Sequence, residues 1–165
     1  MMKTTLALGL LMAGLASAQA LEYTATLSGA AERPTPNNST GTGTGTFSLE
    51  GNVFTYDITY SGLTGTPSAA HIHGAATAEG FAGVVFGITA NGTLGTSGRY
   101  TGSATLSETQ IGFLNSEMLY ANIHTAAFGG GEIRGQITAV PEPGTMALAA
   151  VGVGLMGWMA RRRKA

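Results

Sequence analysis

At 165 residues, with 44% hydrophobic and 10% charged side chains and a formal net charge of −1, the chain has the size of one domain and lacks the basic excess that nucleic-acid binding needs. The absence of cysteine excludes disulfides, thiolate metal sites and cysteine nucleophiles. Twenty-six glycines argue against a helical bundle and for short strands joined by tight turns.

Residues 1–20 read as a signal peptide. Lys3 lies near the start, an apolar run covers 6–15, and Ala16, Ala18 and Ala20 supply small residues for cleavage after Ala18 or Ala20. A first strand is expected over 21–29. The prolines and asparagines of residues 30–40 then predict an exposed loop. Residues 41–49 read as a strand with Thr42, Thr44 and Thr46 on one face, where the alternating glycines permit close approach of another segment. After a turn at Gly51-Asn52, the run V-F-T-Y-D-I-T-Y at 53–60 predicts a strand burying Phe54, Tyr56, Ile58 and Tyr60.

A loop over 61–67 leads to S-A-A-H-I-H-G-A at 68–75. Further strands are expected at 84–89, 98–106, 118–125 and 132–139, with a turn at Asn91-Gly92. One short helix is expected after Ser107, whose capping role is signalled by Glu108 and Gln110. The fold class expected is all-β: an antiparallel sandwich or barrel with Greek-key-like connections, flanked by an N-terminal signal helix and a C-terminal transmembrane helix. The transmembrane segment is 144–160, apolar and followed by Arg161, Arg162, Arg163 and Lys164, which the positive-inside rule keeps cytoplasmic. Between the two termini, residues 21–140 carry eight carboxylates against Arg33, Arg99 and Arg134 alone, so the exported part is acidic.

The candidate chemistry lies in the histidines. On a strand His71 and His73 share a face about 6.5–7 Å apart while Ile72 faces the other way. The third histidine, His124, sits in the alternating run Y-A-N-I-H-T at 120–125, so one sheet or two facing strands are able to gather all three. Imidazole suits zinc or copper, and a trihistidine site keeps an open position. The alternative is three structural histidines, each hydrogen-bonded to a backbone or carboxylate partner, with Asn122 and Glu132 the nearest candidates by motif. Glu132, Arg134 and Gln136 alternate as a polar row on the last strand: a local ion pair, a set of ligands for loop carbonyls, or the lining of a polar pocket beside the histidines. There is no G-x-S-x-G sequence and Asp57 is the only aspartate, so a complete catalytic set is missing and no enzyme is expected.

Two resemblances add to this reading. Pro141-Glu142-Pro143, the apolar run and the cluster Arg161, Arg162 and Arg163 resemble the PEP-CTERM sorting signal of Gram-negative bacteria. That resemblance implies an exosortase-type membrane protease as partner, a precursor anchored transiently in the inner membrane, and a cell-surface or secreted product. L-S-G-A-A-E-R-P at 27–34, G-L-T-G-T-P-S-A-A-H-I-H-G at 62–74, Y-A-N-I-H-T at 120–125 and G-E-I-R-G-Q-I at 131–137 together resemble the CHRD domain of chordin and of exported bacterial proteins. Thr35, between Pro34 and Pro36, departs from the adjacent prolines often found there. The resemblance implies a β-sandwich-like fold over 21–140 and a binding or structural role in extracellular matrix, toward a polysaccharide or a surface protein. Copper/zinc superoxide dismutases also carry an H-x-H pair on a sandwich strand, which keeps a metal protein as the alternative.

Overall fold

The computed structural model describes residues 20–90 and 92–141. The expected signal segment, apart from Ala20, lies outside the described residues, as do Asn91, Glu142, Pro143, the 144–160 run and Arg161, Arg162 and Arg163. Among the described residues, no helix is long and apolar enough to cross a membrane.

The described strands are β1 (Leu21–Ser28), β2 (Thr42–Glu50), β3 (Val53–Ser61), β4 (Pro67–His73), β5 (Val84–Gly87), β6 (Gly98–Thr105), β7 (Tyr120–Thr125), β8 (Ile133–Gln136) and β9 (Thr138–Ala139). All pair antiparallel in one sheet of order β5-β4-β7-β8-β1-β2-β3-β6, with β9 also on β1. The sheet curls on itself. Phe86 of β5, at one end of that order, lies 6.1 Å from Phe54 and 6.4 Å from Tyr56 of β3, near the other end. The expected antiparallel all-β class is therefore the observed one. The connections β3–β4, β5–β6 and β6–β7 carry the chain between the two halves.

Alternation decides the core. Phe54, Tyr56, Ile58 and Tyr60 of β3 are buried, and Phe47 stacks on Phe54 at 5.5 Å between centroids. Each fully buried Leu, Ile or Phe contributes about 1.5–3 kcal/mol relative to exposure. The short helix α1 (Glu108–Asn115) begins with a capping box: the Gln110 backbone donates to Ser107 Oγ at 3.3 Å, and the Ser107 backbone donates to Gln110 Oε1 at 2.8 Å. Those bonds satisfy two amides that the first turn leaves without helical partners. The helix buries Leu114 completely.

Two expectations need correction. The last strand is two strands: β8 lies between β7 and β1 as far as Gln136 opposite Tyr120, and beyond Ile137 the chain loses β7 but keeps β1 in one register, with Arg134 opposite Ser28 and Ala139 opposite Tyr23. Ile137 at the step is fully buried and donates its amide to the Leu119 carbonyl at 3.0 Å. The loop after β1 is not wholly irregular, since Gly29–Ala31 makes a single 3₁₀ turn.

Gly135 fixes how closely β8 approaches β1. A Cβ there would stand 2.6 Å from the Thr26 carbonyl oxygen and 2.9 Å from its carbon, and backbone in a central sheet has nowhere to retreat. Gly112 of α1, in contrast, is exposed and has nothing within 4 Å of a Cβ. Gly135→Ala should therefore lose about 1–3 kcal/mol in urea unfolding, while Gly112→Ala should gain about 0.5–1 kcal/mol.

Candidate functional site

The register of β4 against β7 sets His71 opposite Asn122, His73 opposite Tyr120 and Ala69 opposite His124. Opposite residues of an antiparallel pair share a face. His71, His73, Tyr120, Asn122 and His124 therefore line one side of the sheet, and β8 adds Arg134 opposite Asn122 and Gln136 opposite Tyr120. The intervening Ala70, Ile72, Ala121, Ile123 and Ile133 are buried in the apolar core. Ring centroids are 5.5 Å apart for His71 and His73, 5.0 Å for His71 and His124, and 6.0 Å for His73 and His124.

Loops, not side-chain carboxylates, orient these rings. His73 Nδ1 donates to the Ala82 carbonyl at 3.0 Å and His124 Nδ1 to the Gly129 carbonyl at 3.0 Å. A carbonyl only accepts, so in each neutral ring the proton is on Nδ1 and the lone pair on Nε2. His124 Nε2 lies 3.1 Å from His71 Nδ1, which must then carry the shared proton. His73 Nε2 is buried and has no partner. Burial pushes His73 and His124 toward the neutral form, against the opposing effect of their carbonyl bonds.

Asn122 and Glu132 are not the histidines' partners. Glu132 is fully buried, and it accepts from Ser39 Oγ (2.7 Å), the Thr64 amide (2.8 Å), Thr64 Oγ1 (2.8 Å) and Thr125 Oγ1 (2.5 Å). Burial alone would raise its pKa, but the bonds from Thr125, Ser39 and Thr64 outweigh burial and hold it below the usual carboxylate range. The polar row consequently divides. Glu132 precedes β8, so strand alternation does not aim it, and it joins two loops to β7 instead of lying beside Arg134. The ion pairs among the described residues are Arg33–Glu79 and Arg99–Asp57.

Arg134 is 1% exposed. It donates to the carbonyls of Gly80 (2.7 Å) and Thr77 (3.1 Å) and to Gln136 Oε1 (3.3 Å). Its guanidinium carbon also sits 3.6 Å from the centre of the Tyr120 ring. Tyr120 stacks on His73 at 5.0 Å, and its hydroxyl exchanges hydrogen bonds with the Ala82 amide and carbonyl at 3.0 and 3.1 Å. Residues 76–82 thus cover the polar face and meet its donors with their carbonyls.

Glu32 and Tyr120 were not expected in the site. Glu32 stands in a stretch whose prolines and asparagines signal exposure, yet it is only 3% exposed beneath Asn122, whose Nδ2 donates to Glu32 Oε2 at 3.3 Å. Glu32 Oε1 and Asn122 Oδ1 are buried without partners. Burial pushes the Glu32 pKa up to about 7, although the charge of Arg134 and the Asn122 hydrogen bond oppose it. A protonated Glu32 brings a donor to two orphaned oxygens; an ionised one does not.

Because the folded-state pKa exceeds the unfolded value near 4.5, folding favours the protonated carboxyl. Its stabilising contribution is complete below about pH 4.5 and is lost as pH rises through about 7. Glu32→Gln, permanently neutral, should match the parent at pH 5 and exceed it at pH 8 by on the order of 1–3 kcal/mol in urea unfolding. Equal losses at both pH values would contradict this.

A family model described as the CHRD domain matches residues 23–137, and one described as the PEP-CTERM protein-sorting motif matches residues 139–164. No curated protein and no solved structure matches the chain. The sorting motif marks an exported, surface-directed protein and implies processing by an exosortase-type membrane enzyme. With its β domain matched from the first strand to the residue that separates β8 from β9, the chain belongs to the CHRD domain family.

Proposed function

We propose that the protein is a non-catalytic binding or structural module of the cell surface or extracellular matrix, which engages an extracellular polysaccharide or a surface protein. The observation that carries this reading is the tandem order of a CHRD domain and a sorting motif in one chain. In this reading residues 1–20 direct export, and 144–160 hold the precursor in the inner membrane with Arg161, Arg162 and Arg163 on the cytoplasmic side. Cleavage at the sorting motif then releases the β domain outward.

A contact surface is available for such a role. Phe81 is 66% exposed and Val84 55% exposed, on either side of a segment whose Ala82 is fastened to Tyr120. An exposed aromatic held on an anchored loop offers apolar area with little conformational entropy left to lose on binding. The acidity of residues 21–140 makes nucleic acid a poor partner.

Protein recovered from the surface of its host should have an intact mass lacking Trp158 and Arg161 to Arg163. It should also be retained with the host's extracellular polysaccharide or surface-protein fraction, and Phe81→Ser should lower retention several-fold. A full-length mass would contradict the processing, and free protein in the medium with no retention would contradict the binding role. Turnover of a substrate that disappears in His73→Ala would replace the module by an enzyme.

A further inference from the structure

The histidine cluster has three properties that a merely hydrogen-bonded trio does not need. One ring nitrogen from each of His71, His73 and His124 lies within 4.8 Å of the others. Two ligands bonded at about 2.0–2.1 Å with a tetrahedral angle between them stand about 3.3 Å apart. The His71 Nδ1 to His124 Nε2 separation, 3.1 Å, is already close to that.

The second property is how the rings are held. Metal-binding imidazoles almost always donate their other N–H to a carbonyl or carboxylate, which fixes the tautomer and turns the lone pair toward the ion. His73 and His124 do this through the carbonyls of Ala82 and Gly129, and both bonds put the lone pair on Nε2, which at His124 accepts from His71 Nδ1. The third property is the orphaned nitrogen. His73 Nε2 is buried without a hydrogen-bond partner, and leaving a buried polar group unsatisfied is unfavourable. A cation bound by that lone pair offsets the cost.

We propose that His71 Nδ1, His73 Nε2 and His124 Nε2 bind one divalent transition-metal ion, zinc or copper(II), and leave a coordination position open toward solvent. The donor set is all imidazole, which suits these two ions and not calcium or magnesium. Among the described residues, no carboxylate or further histidine joins the group, and His71 and His124 are only half-buried, so water or an external donor completes the coordination. On binding, the proton shared by His71 and His124 moves to His71 Nε2, with no net loss of protons from the neutral rings. The ion then ties β4 and β7 to the loops that carry Ala82 and Gly129.

The test uses full-length protein purified without a histidine tag, stripped with chelator, and titrated separately with zinc sulfate and copper sulfate. After desalting, elemental analysis should find one equivalent of either ion, and the ion should raise the thermal midpoint. His71→Ala/His73→Ala should retain less than a tenth of that and show no midpoint shift, with circular dichroism reporting whether it is folded. If that variant does not fold, His124→Gln and the spectrum of the copper(II)-loaded parent decide. Electron paramagnetic resonance should show hyperfine coupling to three nitrogens, and its absence would overturn the proposal. No uptake by the parent, or equal uptake by parent and double variant, would overturn it as well.

Discussion

The pairing of β4 with β7 is the constraint on which the rest depends. Setting His71 opposite Asn122 and His73 opposite Tyr120 fixes which side chains face the core and which face outward along both strands. A slip of one residue would send Ile72 and Ile123 out of the core and the histidines into it. The apolar inner face therefore specifies the polar outer one. Once the inner side is buried, His71, His73 and His124 are gathered by geometry alone.

An outward polar face in a small sheet is usually left to solvent, but here Asn122, Arg134 and Tyr120 are buried under loop. Burying a guanidinium is tolerable only if its donors are met, and the carbonyls of Thr77 and Gly80 meet them without another charge. The same covering segment supplies Ala82 to His73 and Tyr120. Segment 76–82 therefore supports the structure and orients the histidine site together, and its exposed Phe81 is held by those bonds. Glu132 performs a comparable service at the other end of the site, where Ser39, Thr64 and Thr125 converge on one carboxylate.

Much of this was legible locally. The aromatic alternation of residues 53–60, the capping box at Ser107 and the shared face of His71 and His73 depend on neighbours a few positions away, where period and spacing carry the information. What was not legible depends on distant partners. Glu32 is buried because Asn122, ninety positions along the chain, lies over it. The break at Ile137 reflects the loss of β7 as a partner while β1 is kept on the other side, and an alternating run contains no mark of that. Alternation puts Glu132 in the row of Arg134, but the residue lies before the strand begins, and its hydroxyl partners come from segments whose proximity only the fold creates. Backbone partners for the histidines are an expectation that His73 and His124 meet, but which carbonyls serve was not legible for the same reason, since any loop residue has one.

Backbone carbonyls preset the lone pairs of His73 and His124 before any ligand arrives. Long-range proton–nitrogen NMR of the imidazoles in metal-free protein at neutral pH reads this directly. Both His73 and His124 should be neutral rings with the proton on Nδ1. Nε2-protonated or doubly protonated rings at those two positions would contradict it.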